Sequence, residues 1–285
     1  MTFKIIAMLV LAAGLLTPGF AGEVSARAAT SDMEKSGELP VPAAAPDDVA
    51  IAKELSNPLA NMISMPIQWE YNRGMGINQQ GRDQTFLLQP VAPINLSGGD
   101  LFIVRPILAA ASMNDVNGFS GFGVSSLTIE SFYAPQTGSS WIWGVGPYLS
   151  TPINNSGYFG SQQTGAGVTG VVLNRDGPWT YGLLAYQSWS VGGNAAYGTQ
   201  NNLYGQPFLA YTNKDAWTFA ANMQAQYNYD THSTSNPLYV GISKLEVFGK
   251  QPVQFSLGAT YYLSTSPMGP QGWGARATVT FVFPK

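Results

Sequence analysis

The stretch AWTFAANMQAQYN, Ala216–Asn228, alternates two kinds of side chain with a period of two residues. One set is apolar or aromatic: Trp217, Phe219, Ala221, Met223, Ala225 and Tyr227. The other set is small or polar: Thr218, Ala220, Asn222, Gln224, Gln226 and Asn228. Successive side chains of a β-strand point to opposite faces of a sheet, so the pattern predicts a strand with one apolar and one polar face. The stretch is long enough to cross a lipid bilayer, which takes ~9–11 residues in a tilted strand.

The same alternation recurs along the rest of the chain. We predict about twelve strands, which is typical of an all-β, antiparallel, up-and-down transmembrane β-barrel. The approximate strands are Ile63–Tyr71, Gln84–Ile94, Leu101–Ala111, Phe122–Tyr133, Trp141–Thr151, Gln163–Asn174, Trp179–Ser190, Asn202–Thr212, Ala216–Asn228, Pro237–Phe248, Val253–Leu263 and Trp273–Phe283.

The gaps between these strands are of two kinds, which alternate. The short gaps read as tight turns: Ser97–Gly99, Gln136–Gly138, Arg175–Gly177, Asn213–Asp215 and Gly249–Gln251. The longer gaps read as polar loops: Gly74–Asp83, Ser112–Gly121, Pro152–Gln162, Val191–Asn201, Asp230–Asn236 and Ser264–Gln271. An even strand number predicts both termini and the tight turns on the periplasmic side, and the longer loops outside the cell. A propeller has a similar repeat length, but its blades need strands about half as long.

The N-terminal region reads as a leader and a linker. Lys4 precedes the apolar run Ile5–Leu16, so residues 1–28 predict a signal peptide, cleaved after Ala21 or Ala28. Residues 29–60 predict a linker and a short periplasmic helix over Asp47–Leu55, which either plugs the barrel or lies at its mouth. Residues 61–285 then form the barrel.

The composition favours an outer-membrane location in a Gram-negative bacterium. Charged residues make up 10% of the chain, against ~25% in soluble domains. A barrel wall contacts lipid outside and a wet lumen inside, so it needs fewer charges. The net charge of −3 argues against nucleic acid as a partner. We expect outer-membrane lipid, a small solute and, during biogenesis, the barrel-assembly machinery as partners.

Prolines interrupt the regular pattern. Within the predicted strands lie Pro66, Pro90, Pro106, Pro147 and Pro207. Each removes a backbone donor, and a closed barrel has no edge strand on which the missing bond would be harmless. We therefore expect bulges or shifted strand boundaries at these positions.

The polar and charged residues of the strands are candidates for the lumen lining. A charge on the lipid face costs ~2–4 kcal/mol at the bilayer midplane, so strand charges are expected to face inward and to neutralise one another. The candidate lumen-lining residues are Gln68, Glu70, Arg105, Glu130, Asn222, Gln224, Gln226, Lys244, Glu246 and Arg276.

A search for catalytic chemistry gives little. His232 is the single histidine and lies in the polar stretch Asp230–Ser235. Neighbouring residues of a loop rarely reach relay geometry, and no serine stands in a nucleophile-elbow pattern. The acidic residues lack the spacing of a calcium loop. We therefore expect no enzymatic activity and assign no catalytic, cofactor-binding or metal residues.

Several short motifs carry a family resemblance. They are Leu55–Ala60, Trp141–Pro147, Gly177–Gly182, Gln206–Thr212, Gly249–Val253 and Phe283–Lys285. Together they resemble a family of bacterial outer-membrane transporters, often mislabelled neuromedin U, that is similar to outer-membrane proteins of the phenol meta-cleavage pathway. The resemblance implies an outer-membrane barrel and brings neither a substrate nor a catalytic motif. Barrels that the bacterial assembly machinery inserts into the outer membrane usually end on an aromatic residue. Here Pro284 and Lys285 follow Phe283.

These observations predict a channel for the passive passage of small neutral or weakly polar solutes. About twelve strands give a lumen wider than that of a filled eight-stranded barrel. The alternatives are an outer-membrane lipid-modifying enzyme and a structural or adhesive barrel with a filled lumen. A secreted β-sandwich is a further reading of the same alternation.

Overall fold

A computed structural model describes residues 46–153, 156–194 and 199–283. The predicted signal peptide, most of the predicted linker and the ending Pro284-Lys285 lie outside these residues. The predicted short helix forms as α1, Pro46–Glu54. Among the described residues, no helix is long and apolar enough to cross a membrane.

The remaining regular structure consists of β-strands. Their bounds are β1 Ile63–Met75, β2 Gly81–Leu88, β3 Ala92–Asn95, β4 Leu101–Val116, β5 Phe119–Ala134, β6 Trp141–Pro152, β7 Gln163–Asp176, β8 Trp179–Gly193, β9 Asn201–Thr212, β10 Trp217–Met223, β11 Ala225–Asn228, β12 Ser233–Ser235, β13 Pro237–Phe248, β14 Gln251–Tyr262 and β15 Gly272–Phe283.

The strands form one antiparallel sheet that closes on itself. Closure is made by β1 and β15, whose pairing runs from Ile63 opposite Phe283 to Tyr71 opposite Ala275. Three wall strands are interrupted: β3 continues β2, β11 continues β10, and β12 precedes β13 in the same position of the wall. The wall therefore has twelve strands, which confirms the predicted up-and-down barrel.

The two faces of the wall differ as the alternation predicts. Along β13 the exposed side chains are Leu238, Val240 and Ile242, whereas Tyr239 and Ser243 are buried inside. Exposed aromatic side chains lie near both ends of the wall: Trp141, Trp179 and Trp217 near the tight turns, and Trp189, Tyr261 and Trp273 near the longer loops. An apolar outer face between two aromatic bands is typical of barrels that stand in lipid.

The two ends of the barrel are defined by their connections. One end carries the five predicted tight turns together with the start of β1 and the end of β15; we call it the tight-turn rim. The other end, the loop rim, carries the longer loops. The prediction of a long loop over Ser112–Gly121 was wrong, because β4 and β5 leave only Asn117 and Gly118 between them. Both have positive φ (54° and 79°), and an Asn-Gly pair is a strong signal for a two-residue hairpin turn.

The strand prolines lie at interruptions of the ladder, as expected. Pro90 lies between β2 and β3, and Pro106 of β4 faces that same break. Pro147 falls where the pairing of β5 with β6 is interrupted. Pro207 lies between the β9 residues that pair with β10 and those that pair with β11. Pro66 stands just beyond the last pair of the ladder between β1 and β2. Each proline thus lies beside an irregularity in the ladder to one neighbouring strand.

An apolar core lies inside the barrel near the tight-turn rim. Residues 46–62, which we call the inner segment, pack there against inward-facing side chains. Leu59 is buried in a cluster that includes Leu101, Phe132 and Leu173. Gly144 makes room for it, because a Cβ at that position would lie 3.1 Å from Leu59 Cδ2. The interior is therefore apolar at this rim and polar farther along.

Candidate functional site

The interior of the barrel holds a cavity of about 510 Å³, which side chains from most wall strands line. Seven of the ten predicted lumen-lining residues meet in its wall. They are Gln68, Glu70, Arg105, Glu130, Asn222, Gln224 and Arg276. The topology explains the convergence, because inward positions at one level of neighbouring strands meet around a closed barrel.

Arg276 forms the most highly connected ion pair of the cavity. Glu70 and Arg276 are directly opposite on β1 and β15, and Arg276 Nη2 lies 2.7 Å from Glu70 Oε1. Gln68 Nε2 donates to the same carboxylate oxygen at 2.7 Å, and Arg276 Nη2 donates to Gln224 Oε1 at 3.3 Å. The Arg276 guanidinium also lies 4.5 Å from the centre of the Tyr239 ring. These contacts hold the guanidinium in one place.

Tyr239 itself lies flat against the wall. A Cβ on Gly241 would lie 2.1 Å from Tyr239 Oη, and a Cβ on Gly258 would lie 2.5 Å from Tyr239 Cε2. Only glycine leaves room for the ring at these two positions. The ring therefore supports Arg276 from behind, with a cation–π contact that strengthens as water is excluded.

A second ion pair lies on β4 and β5. Arg105 and Glu130 are directly opposite, and Arg105 Nη1 lies 3.4 Å from Glu130 Oε2. Arg105 Nη2 also donates to Gln89 Oε1 at 2.8 Å. Together the two pairs place two positive and two negative charges in the cavity wall, so their sum is zero.

Three tyrosines form a stacked ladder on the other side of the cavity. Tyr148, Tyr186 and Tyr204 come from β6, β8 and β9, and their ring centres are 4.3 and 4.7 Å apart. Tyr204 Oη donates to Gln206 Oε1 at 2.8 Å. Sequence reasoning missed this ladder, although the alternation contained a signal. In β6 the exposed Trp141 and Trp143 occupy odd positions, so the even position of Tyr148 faces inward.

The other three predicted residues lie elsewhere. Gln226 belongs to β11, where it pairs with Tyr204 of β9, and it does not line the cavity. Lys244 and Glu246 share the outer face of β13 with Leu238, Val240 and Ile242. Lys244 Nζ lies 5.6 Å from the centre of the Trp217 ring and donates to the Asp215 carbonyl of a tight turn. An outward charge near the interface costs only ~0–1 kcal/mol, which explains why this face tolerates the pair.

His232 lies at the loop rim, away from this cavity. Its Nδ1 is 3.0 Å from Tyr227 Oη, and its neighbours Thr231 and Ser233 hydrogen-bond to each other through their hydroxyls. Thr199 and Asn201 donate to the Asp230 carboxylate, and these bonds lower the pKa of Asp230. Asp230 is thus engaged by loop residues, and the described hydrogen bonds show no relay from His232 to a serine. Nor does any group of three or more described histidine or acidic residues form a candidate metal site.

The inner segment covers the interior at the tight-turn rim. Ala52 packs against Ala216 and Leu245, and Met62 packs against Val282. Polar contacts add to this packing: Glu54 forms an ion pair with Arg175, and Lys53 Nζ donates to the Gly177 carbonyl. A smaller cavity of about 220 Å³ lies between the inner segment and the wall. The inner segment therefore narrows the interior on this side.

The closed wall, its apolar outer face and its polar interior define a β-barrel of the outer-membrane type. No protein-family model matches the chain, and no curated protein matches it. Among solved structures it is similar to the COG4313 outer membrane channel from Pseudomonas putida F1. The TM-score is 0.57 and the identity 14%, over 78% of this chain and 96% of that chain.

Other solved barrels resemble the chain less. The NanC porin has a TM-score of 0.48 and 12% identity, over 76% of this chain and 98% of that chain. Outer membrane phospholipase A from Escherichia coli has a TM-score of 0.44 and 12% identity, over 78% and 90%. At these identities the similarity concerns the fold alone.

Proposed function

We propose that this protein is an outer-membrane channel through which small neutral or weakly polar solutes pass passively. The observation that carries the proposal is the cavity wall, where amides and hydroxyls surround two ion pairs of zero total charge. A cavity wall of this kind offers hydrogen bonds, and its two ion pairs add no net charge, so this wall favours neither anions nor cations. Neutral solutes can form these hydrogen bonds, and their passage does not depend on a net charge of the wall.

The outer surface supports the proposed location. Apolar side chains and two aromatic bands cover the wall, and the similar solved structures are outer-membrane proteins. We place the protein in the outer membrane of a Gram-negative bacterium, with lipid around the wall. The barrel-assembly machinery is its expected partner during biogenesis. Heat-modifiable gel mobility combined with outer-membrane fractionation tests this location.

Single-channel recording tests the charge balance of the lumen. The purified chain in a planar bilayer under a KCl gradient should show a reversal potential close to zero. A marked preference for anions or cations would contradict the proposal. Liposome swelling with neutral solutes of increasing size then gives the size limit of the lumen.

The inner segment supports a second candidate, a structural barrel with a filled lumen. Its packing against Leu101, Phe132 and Leu173 occupies the interior at one rim. Deletion of residues 30–57 separates the two functions. A channel that the inner segment narrows should gain conductance, whereas a filled structural barrel should stay closed in both forms. The variant Asn95→Leu, on an exposed position of β3, serves as a control for handling and insertion.

The enzymatic alternative has its own test. His232 carries the only imidazole of the chain, so a lipid hydrolase of the histidine-dependent kind would need it. We expect the chain to hydrolyse no phospholipid, and His232→Ala to leave that result unchanged. Hydrolysis that disappears in His232→Ala would establish the enzyme instead.

A further inference from the structure

We infer that the lumen binds uncharged ring solutes that carry several hydroxyl groups, such as cyclic polyols and monosaccharides. This inference rests on the proposed channel function and names the solute class. The binding surface is the part of the cavity wall formed by Arg105, Glu130, Tyr204, Asn222 and Arg276, which we call the lumen belt.

Three groups of the lumen belt have no hydrogen-bond partner among the described residues. They are Arg276 Nε, Glu130 Oε2 and Asn222 Oδ1, and all three atoms are buried, so a solute in the cavity contacts them only after the side chains turn toward it. Arg276 and Glu130 are only 7% and 4% exposed, yet both line the cavity. Glu130 Oε2 lies 3.4 Å from Arg105 Nη1, which neutralises its charge without a well-aligned hydrogen bond.

The chemistry of these groups selects the hydroxyl. Arg276 Nε offers a donor, whereas Glu130 Oε2 and Asn222 Oδ1 offer acceptors. A hydroxyl is the uncharged group that both donates and accepts, so several hydroxyls on one ring can satisfy donors and acceptors around the wall. A buried polar atom without a partner costs ~1–3 kcal/mol, which a solute with too few hydroxyls would leave in place.

The charges of the lumen belt argue against ions as the preferred solutes. Each carboxylate already has its own guanidinium, Glu70 with Arg276 and Glu130 with Arg105. An entering ion would have to compete with a partner that is held by the wall and would leave one buried charge unpaired. Breaking a buried pair in this way costs several kcal/mol.

The tyrosines argue against an aromatic solute held by stacking. Tyr186 is covered on one face by Tyr148 and on the other by Tyr204. Arg276 lies over the ring of Tyr239. The faces of these rings are therefore in contact with the protein and are not free to stack on an aromatic solute. The cavity volume of about 510 Å³ lies within the ~300–1,000 Å³ of small-molecule sites.

A series of six-membered rings tests the solute class. The probes are myo-inositol, which donates and accepts, 1,4-dioxane, which only accepts, and benzyl alcohol, which adds an aromatic face. Saturation-transfer NMR on the full chain in detergent micelles, corrected with empty micelles, measures binding. We expect inositol to bind at least about tenfold more tightly than either of the others, as two satisfied hydrogen bonds would give.

Matched variants locate the site. Asn222→Leu removes one acceptor at similar volume and should weaken inositol binding about fivefold. Asn95→Leu makes the same change on an exposed position outside the cavity and should leave binding unchanged. Gel mobility confirms that each variant folds. If Asn222→Leu does not fold, Glu130→Gln keeps the shape of the side chain but removes its negative charge, and it should weaken inositol binding as well.

The outcomes separate this inference from the proposed function. Dioxane or benzyl alcohol binding as tightly as inositol overturns the solute class, and so does inositol binding that is unchanged in the belt variant that folds. If inositol binds but does not pass in liposome swelling, the proposed channel function is contradicted and the inferred binding site is kept. Weak inositol binding together with free passage of neutral solutes keeps the channel and overturns the site.

Discussion

Two ion pairs of this barrel, one inside and one outside, each join a glutamate to a basic residue, but they lie in different surroundings. Inside, Arg276 lies 2.7 Å from Glu70, and its side chain is 9% exposed. Outside, Lys244 lies 3.7 Å from Glu246, whose side chain is 55% exposed. The inner pair has further partners in Gln68 and Gln224, whereas Glu246 of the outer pair lies on the outer face of the wall.

The difference shows that position decides what a charge does in this wall. Two buried charges that have lost their hydration stabilise each other, and removing one leaves the other buried and unpaired. An exposed pair near an interface gains little from its partner. We therefore expect the inner pair to affect both the unfolding free energy and the charge of the lumen, and the outer pair to affect neither. Four substitutions test this comparison.

The largest effect is expected from Arg276→Ala. It leaves the Glu70 carboxylate buried and unpaired and removes the contact with Tyr239, so the unfolding free energy should fall by ~3–5 kcal/mol. The lumen also gains one net negative charge, so the reversal potential should move toward cation preference. Denaturant unfolding and a KCl gradient measure the two effects. Arg276→Lys keeps the charge and should restore the reversal potential, and an unchanged potential in Arg276→Ala would contradict the placement of Arg276 in the pore.

A charge placed on the outer face away from the rim should cost somewhat less. Val240 shares the outer face of β13 with Lys244 but lies farther from the tight turn. We expect Val240→Arg to destabilise the inserted barrel by ~2–4 kcal/mol because lipid surrounds that position. Folding into lipid vesicles measures the effect. The matched variant Glu246→Arg should be nearly neutral, and equal costs at both positions would show that the lipid boundary lies elsewhere.

The inner segment gives an intermediate effect. Leu59 is 3% exposed in its apolar cluster, so Leu59→Ala should weaken docking of the inner segment by ~2–4 kcal/mol. Conductance should rise toward that of the chain lacking residues 30–57. Ser56→Ala, on the same segment, serves as the control. No rise after Leu59→Ala would show that apolar packing does not hold the inner segment.

The smallest effect is expected at the outer pair. Glu246→Gln removes the exposed partner of Lys244 and should change unfolding free energy by less than ~0.5 kcal/mol, because exposed pairs are screened by solvent. The reversal potential should not move. A shift comparable to that of Arg276→Ala would show that Glu246 influences the lumen after all.

The alternation of the sequence was enough to predict the barrel, its strand number and the convergence of Glu70, Arg105, Glu130 and Arg276. It failed for Lys244 and Glu246, because a rule that turns every strand charge inward ignores the rims, where outward charges are cheap. The hairpin at Asn117-Gly118 was missed because polar neighbours outweighed a two-residue turn signal. The tyrosine ladder joins β6, β8 and β9, and period-two reasoning within one strand gives no register between strands.

The paired interruption at Pro90 and Pro106 bears on assembly as well as on the finished wall. Neither residue carries an N–H, and they face each other where β2 gives way to β3. Sliding one strand by two residues would keep every side chain on its proper face, so alternation alone does not forbid that error. It would, however, carry a proline into a position that needs a donor, at the cost of a ladder hydrogen bond. The two prolines therefore make this slipped pairing of the strands less stable than the native pairing when the wall closes.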